Sequence, residues 1–273
     1  MNDADLSRII EEKRQATPPA TTAGHGGEWR PGRRREPGAL GEALARVETA
    51  LEAMPSPSPE ECQRHRREQQ AADRSARWRS FSEQLGPRYL GCRFANFEIP
   101  EGPHASAQHQ VVSELQRYAE KLPERVEAGQ GVLLFGASGT GKDHLLSALA
   151  HFAIVRFDMY VRWIDGTAFY RHLRDRLDSR DTEEELIERF SLPSILYFSD
   201  PLPPFGELTS FQASALFTVL DRRYRDRRPT WFTLNVQNFD EASRRLSASI
   251  ADRMRDNTLA LRCAWPSYRK AQT

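Results

Sequence analysis

Residues 131–152 form the segment GVLLFGASGTGKDHLLSALAHF, and this segment decides the fold. Its first five residues, Gly131–Phe135, are a continuous apolar run, typical of a strand buried on both faces of a parallel sheet. The next seven, from Gly136 to Lys142, have the spacing GxxxxGK, and an amphipathic helical pattern follows them. A strand, a glycine-rich turn and a helix in this order predict a phosphate-binding loop.

The predicted loop is suited to a nucleotide. Glycines allow consecutive backbone N–H groups to turn toward phosphates, and the N-terminal end of the following helix is positively polarised. Lys142 predicts a mobile charge for the β- and γ-phosphates. We therefore expect ATP or ADP with Mg²⁺, bound by Gly136, Ala137, Ser138, Gly139, Thr140, Gly141, Lys142, Asp143 and His144.

One position departs from the motif. A Ser or Thr normally follows the lysine and ligates magnesium, whereas this chain has Asp143 there. Either Asp143 replaces the hydroxyl as a metal ligand, or it caps the N-terminus of the helix, where a carboxylate is favourable. The sequence leaves both alternatives open.

A second acidic position follows the apolar run ILYF, which continues into Ser199 and Asp200. P-loop ATPases place a magnesium-holding Asp here, followed in AAA+ proteins by a catalytic Glu. In that register Ser199 stands at the metal position and Asp200 at the catalytic one; a shift by one residue makes Asp200 the metal ligand. The candidate metal ligands are thus Asp143, Ser199 and Asp200, with the usual hydroxyl and carboxylate exchanged. Hydrolysis stays an open question.

Short apolar runs alternate with helical patterns from Tyr89 onward, which predicts an α/β fold with a parallel sheet flanked by helices. The predicted strands are Gly131–Phe135, Tyr160–Ile164, Ile195–Phe198 and Trp231–Leu234. The predicted helices are 143–157, 168–177, 182–190 and 210–225.

The first third of the chain has a different composition. Residues 1–37 are predicted to be a disordered tail, because most of them lie in a stretch rich in Pro, Gly and Arg. The residues before that stretch are predicted to be either a short helix or a frayed end. Residues 38–88 are predicted to be helical and to bind a partner, with an amphipathic helix at Leu40–Met54. Residues 89–273 form the predicted ATP-binding domain.

Composition also excludes several classes of protein. No apolar run approaches the roughly 18 residues of a membrane span, and the charged N-terminus does not resemble a signal peptide. The three cysteines form no CxxC pair, so neither a zinc ribbon nor a disulfide framework is predicted. We expect a cytoplasmic protein.

Four further strings accompany the loop GTGKDHL in order: the lead-in RYLGCRFANFE before it, and RRPTWFTLNV, ADRMR and WPSYR after it. With them the chain resembles the DnaC/IstB family of AAA+ ATPases over about residues 89–269. DnaC-type members load the replicative helicase onto single-stranded DNA, and IstB-type members assist a transposase. The resemblance implies one of these functions, acting as a nucleotide-dependent homo-oligomer.

The resemblance also implies roles for single residues. Asn235, at the end of WFTLN, matches the polar sensor of the γ-phosphate. Arg253 in ADRMR matches the arginine finger that acts on the neighbouring subunit, with Arg255 as its competitor, and Arg269 in WPSYR matches the second sensor. The alternatives are a turn for Asn235 and a surface salt bridge for Arg253 or Arg255.

The DNA-contacting surface is less sharply indicated. In the loaders the helices after the second strand face nucleic acid, and the candidates here are Arg171, Arg174 and Arg176. Interleaved acids make a solvated face the alternative, and the same holds for the basic segment 221–229. A third functional class, a nucleotide-sensing interaction module without useful turnover, is favoured by Ser199 and Asp143.

Overall fold

The five described strands belong to one parallel sheet. They are β1 (Gly131–Phe135), β2 (Val161–Asp165), β3 (Ile195–Ser199), β4 (Thr230–Leu234) and β5 (Thr258–Arg262). Their order across the sheet is β2-β3-β4-β1-β5, and every neighbouring pair is parallel. All carboxyl ends therefore meet at one edge, where the loop after β1 and the residues after β3 and β4 lie together.

The structure is a computed structural model, and it describes residues 46, 58–177, 183–203 and 205–269. Its helices, in chain order, are α1 (Pro59–Leu85), α2 (Ala105–Glu120), α3 (Leu122–Glu127), α4 (Lys142–Phe157), α5 (Gly166–Leu177), α6 (Glu183–Ser191), α7 (Ser210–Arg225), α8 (Phe239–Leu246) and α9 (Ala248–Arg255). The predicted tail, and the predicted helix Leu40–Met54 apart from Arg46, lie outside the described residues.

Helices cover both faces of the sheet. Alternate strand residues belong to two separate hydrophobic clusters: Leu133 packs with α5 to α9, and Val132 packs with α1, α2 and α4. Both clusters are built from fully buried side chains such as Leu133 and Leu134. This arrangement explains why β1 and β3 are continuous apolar runs in the sequence, because strands covered on both faces have no solvent-facing positions.

The predicted fold class is confirmed, and the four predicted strands agree with the structure to within one residue at each end. The predicted helices begin and end within two residues of α4 to α7. Strand β5 was not predicted, because it lies at the edge of the sheet. Three of its five residues, including Leu259 and Leu261, are only partly buried, so it lacks the apolar run of the central strands.

Helix α1 belongs to the same compact unit as the sheet, and that unit begins at Ser58. Most of its first 18 residues are exposed, but Phe81 and Leu85 are buried in the cluster that contains Val161. The boundary expected at residues 88/89 therefore falls inside the compact unit. The boundary was predicted at residues 88/89 because α1 is mostly polar. Its few apolar residues, which pack on the sheet domain, lie near its end.

None of the described helices is both long enough and apolar enough to cross a bilayer.

Candidate nucleotide-binding site

The loop between β1 and α4 has the backbone that the glycine pattern predicts. Gly136 and Gly139 adopt positive φ angles of 145° and 84°. A Cβ atom at Gly136 would collide with the carbonyl oxygen of Cys263, and one at Gly139 would collide with the Ser267 hydroxyl. Glycine is thus required at both positions by conformation and by the close approach of the C-terminal segment.

That C-terminal segment, residues 263–269, holds the loop from outside. Trp265 Nε1 donates to the Thr140 carbonyl at 2.9 Å, and the backbone N–H of Tyr268 donates to the Gly139 carbonyl at 2.9 Å. Arg269 reaches Ser138 Oγ at 3.5 Å. The family-derived second sensor is therefore placed beside the predicted phosphate loop of its own chain.

Lys142, the first residue of α4, is buried beneath the loop and is 4% exposed. Its Nζ donates to the carbonyls of Gly136 and Ala137 at 3.0 and 2.7 Å. Burial lowers the pKa of Lys142, and the nearby Cys263 and acidic side chains partly oppose this effect. The ammonium is held by dipoles of the loop, at the position where the motif requires a charge for phosphates.

Asp143 faces the sheet. Its Oδ1 accepts hydrogen bonds from Ser199 Oγ at 2.7 Å, from Tyr197 OH at 3.0 Å and from Thr233 Oγ1 at 3.0 Å. No side chain caps the N-terminus of α4, so the capping alternative is not observed. The loop acid and the strand hydroxyl, Asp143 and Ser199, are in direct contact, with their residue types exchanged relative to the usual motif.

Asp200 points to the next strand and contacts the predicted sensor. It accepts hydrogen bonds from the backbone N–H of Asn235 at 3.2 Å and from Asn235 Nδ2. Its own backbone N–H donates to the Thr233 carbonyl at 3.0 Å, and its φ is 41°. Burial raises the pKa of Asp200, while the hydrogen bonds from Asn235 act in the opposite direction.

A cleft of about 420 Å³ lies over the loop. Lys142, Asp143, Asn235 and Arg269 line it together with six residues that precede the sheet: Arg88, Tyr89, Cys92, Asn96, Phe97 and Glu98. Phe97 closes one side, because its ring packs against those of His144 and Tyr268 at centroid distances of 5.3 and 5.7 Å.

The six residues that precede the sheet form the lead-in wall of the cleft. The sequence assigned none of them to the site, nor Tyr197 and Thr233 beside Asp143. The lead-in string RYLGCRFANFE contains the six wall residues, so the resemblance of that string was the available signal. Tyr197 gave no comparable signal, because a tyrosine inside an apolar run is indistinguishable from a core residue until its hydroxyl finds a partner.

Other predicted residues lie apart from the cleft. Arg253 does not line it; its guanidinium is bonded to Asp221, with Nε at 3.1 Å from Oδ1, and lies 4.5 Å from the Phe217 ring centroid. Its competitor Arg255 lies 4.6 Å from the centroid of Phe239.

The candidate DNA-contacting arginines are on α5. Arg171 and Arg174 are exposed there, whereas the side chain of Arg176 lies outside the described part of the structure. In the alternative segment 221–229, Arg223 is fully buried and donates to the carbonyls of Phe190, Ser191, Pro193 and Pro229, so it is a structural residue.

Comparison with known protein families identifies the family of the chain. The sequence model of the family of IstB-like ATP-binding proteins matches residues 60–273. The chain belongs to this family. The match starts at the second residue of α1 and includes the loop, Asp200, Asn235, Arg253 and Arg269. The family description names ATP-binding proteins, and the candidate site around Lys142 lies inside the matched residues. No curated protein sequence gives a significant match.

Solved structures share the fold. The DnaC helicase loader is 16% identical with a TM-score of 0.57, and the match covers 65% of this chain and 99% of that one. DnaI is 19% identical with a TM-score of 0.53, covering 68% and 95%. AMPPCP-bound DnaA from Aquifex aeolicus is 17% identical with a TM-score of 0.51, covering 66% of this chain and 51% of that one. At these identities the likeness shows a shared fold and nothing more.

Replacement of Lys142 by alanine tests the nucleotide site. We expect Lys142→Ala to weaken ATP binding about 10- to 100-fold in a calorimetric titration, since a hydrogen bond to a charged group contributes about 1.5–3 kcal/mol. Lys121→Ala, which removes an exposed lysine at the end of α2, is the matched control and should bind ATP like the unmodified protein. Equal affinities for both variants would contradict the assignment.

Proposed function

We propose that this IstB-like protein is an ATP-binding AAA+ accessory protein of DNA replication that loads or remodels a replicative helicase on single-stranded DNA. The observation that carries the proposal is the set of contacts around Lys142: a phosphate loop held between the lead-in wall and the segment 263–269, with Asn235 and Arg269 directed to the same cleft. The fold shared with the DnaC helicase loader over nearly all of that chain supports the choice of replication.

Two other functions remain as alternatives. The family match favours a transposition helper, because the family is named after IstB and IstB-type members assist a transposase. A nucleotide-sensing module without turnover is favoured by Ser199, which leaves β3 without an acid at the usual metal position. All three functions use the same nucleotide site, so they differ in partner and in turnover.

We also propose that Asp143 holds the Mg²⁺ of the bound nucleotide. Its Oδ1 is fixed by three hydroxyls, and among the described residues no donor contacts Oδ2. Mg²⁺ commonly takes one or two protein carboxylates together with phosphate oxygens and water, so a single carboxylate beside the phosphate loop fits this ion. The described residues contain no cluster of three His, Cys, Asp or Glu side chains that would bind a metal without phosphates. Ser199 and Asp200 are the two other proposed ligands of this Mg²⁺ ion.

The metal proposal predicts that Asp143→Asn weakens ATP binding with Mg²⁺ but not without it. Asparagine retains an oxygen for the three hydroxyls but loses the charge. With Mg²⁺ we expect ATP affinity to fall about 10-fold, a loss of about 1.4 kcal/mol. With EDTA we expect affinity to stay equal or to rise, because a negative charge beside the phosphates is gone. A similar loss in both titrations would show that Asp143 acts through the loop structure alone.

Arg253 is proposed to act on the nucleotide of a neighbouring copy. It lies outside its own cleft, and Asp221 and the Phe217 ring hold its guanidinium at the surface of α7, where it is 29% exposed. An arginine finger contributes about 10³- to 10⁵-fold to turnover in P-loop ATPases that use one.

A mixing experiment tests this role. Arg253→Ala and Lys142→Ala should each remove ATP turnover, and a mixture of the two should recover part of it, because some sites then combine an intact Lys142 with an intact Arg253. Arg253→Lys, which retains a charge for Asp221, controls for loss of the ion pair. Weakened ATP binding in isolated Arg253→Ala monomers would contradict action between subunits.

Single-stranded DNA is the proposed nucleic-acid partner, and Arg171, Arg174 and Arg176 on α5 are its proposed contacts. The two whose side chains are described are exposed, and α5 begins at the carboxyl edge of the sheet beside Asp200. Phosphate contacts of this kind weaken steeply as salt is raised.

The region before the compact unit is proposed to bind the helicase. A variant that begins at Ser58 keeps Phe81 and Leu85 in the core, so we expect it to bind ATP and to unfold at the same temperature as the full chain. In pull-downs with the host's replicative helicase, the full chain should retain the helicase and the truncated variant should not. Retention of a transposase in place of the helicase would replace the loader by the helper function.

A further inference from the structure

The last residue of β2 is an acid that the nucleotide-site motifs do not include. Asp165 lies opposite Ser199 in the parallel pair β2–β3. Ser199 occupies the position at which the usual motif has a carboxylate, and neighbouring strands are about 4.8 Å apart. The carboxylate missing from the end of β3 therefore has a counterpart one strand away.

The backbone holds this acid close to Asp200. Gly166, the residue after Asp165, packs so tightly that a Cβ atom there would collide with the Asp200 carbonyl oxygen and would lie 2.9 Å from Pro201 Cα. Tyr170, one turn further along α5, donates its hydroxyl to the Pro201 carbonyl at 2.9 Å. The first turn of α5 is thus fixed against the residues that follow β3.

Asp165 and Asp200 line one cavity of about 380 Å³. Its polar lining also contains Ser138, Thr167, Ser199, Asn235 and Arg245. Ser138 and Asn235 line the nucleotide cleft as well, so the cavity adjoins the cleft on the side of the sensor. A water molecule in this cavity would lie beside Ser138 of the loop and the predicted sensor Asn235.

The two acids differ in the availability of their oxygens. Both Asp200 oxygens accept hydrogen bonds from Asn235. Asp165 Oδ1 accepts from the backbone N–H of Ala168 at 2.8 Å, and within the described ranges no protein donor contacts Oδ2. Asp165 therefore presents the less occupied carboxylate oxygen to the cavity.

We propose that Asp165 is a catalytic residue that supplies the second carboxylate of the site and binds the attacking water. The inference rests on the proposed function, in particular on ATP as the nucleotide. The water oxygen bonds to the γ-phosphorus while the bond from that phosphorus to the bridging oxygen of ADP breaks. The proton of the water passes to Asp165 Oδ2 and then to the released phosphate or to bulk water.

A purely structural role for Asp165 is to cap α5, because its side chain accepts from a backbone N–H in the first turn. Asparagine and serine are N-caps of similar quality to aspartate, and neither can accept a proton at neutral pH. Asp165→Asn and Asp165→Ser therefore separate the cap from the carboxylate. Asp165→Ala removes both.

The test measures ATP turnover with and without a single-stranded DNA oligonucleotide, ATP affinity by calorimetry, and the thermal unfolding temperature, all on the full chain. For Asp165→Asn and Asp165→Ser we expect kcat to fall about 100-fold, as for loss of a general base. KM, ATP affinity and the unfolding temperature should stay close to those of the unmodified protein.

Each other outcome overturns the inference. Unchanged kcat in Asp165→Asn leaves Asp165 as a cap only. A loss of ATP affinity equal to the loss of turnover would make Asp165 a binding residue. An unmodified protein that binds ATP but does not hydrolyse it, with or without DNA, removes the catalytic role while nucleotide binding stands. Failure of the unmodified protein to bind ATP removes the proposed function itself.

Discussion

The carboxylate of Asp143 ties the first turn of α4 to two strands at once. Ser199 and Tyr197 reach it from β3 and Thr233 reaches it from β4, so one oxygen fixes the helix that follows the phosphate loop against the centre of the sheet. Hydrogen bonds to a charged acceptor are about twice as strong as neutral ones, and these are partly buried. The position of Lys142, one residue earlier, depends on the same anchor.

The nucleotide cleft is formed by parts of the chain that are far apart in sequence. The lead-in wall approaches from one side and residues 263–269 from the other, and Tyr268 joins them by donating its hydroxyl to the Glu98 carbonyl at 2.8 Å. Tyr268 OH also accepts from Gln108 on α2 at 2.7 Å. Removal of either wall would therefore leave the phosphate loop covered on one side only.

The sequence was sufficient to predict the parallel sheet, most of its strands and the phosphate loop, because each rests on a local pattern of apolar residues and glycines. The resemblance added Asn235, Arg253 and Arg269, and the structure brings the first and third of these to the cleft. Ser199 was predicted to lie near Asp143, but the hydroxyls of Tyr197 and Thr233 could not be predicted there, since their contacts depend on the register of β3 with β4. Asp165 could not be predicted for the same reason, because its position opposite Ser199 depends on the pairing of β2 with β3.

Asn235 shows how one side chain can connect nucleotide and acid. Its Nδ2 donates to Asp200, but an amide nitrogen carries two hydrogens, so a second one is available for a phosphate oxygen. If Asp200 left Asn235, its partly buried carboxylate would lose both of its hydrogen bonds from that residue, which is costly. A movement of Asn235 on binding a phosphate would therefore also move Asp200 and the residues after β3. Gly166 and Tyr170 of α5 pack against those residues. The structure thus gives a continuous set of contacts from the nucleotide cleft to the helix that carries Arg171 and Arg174.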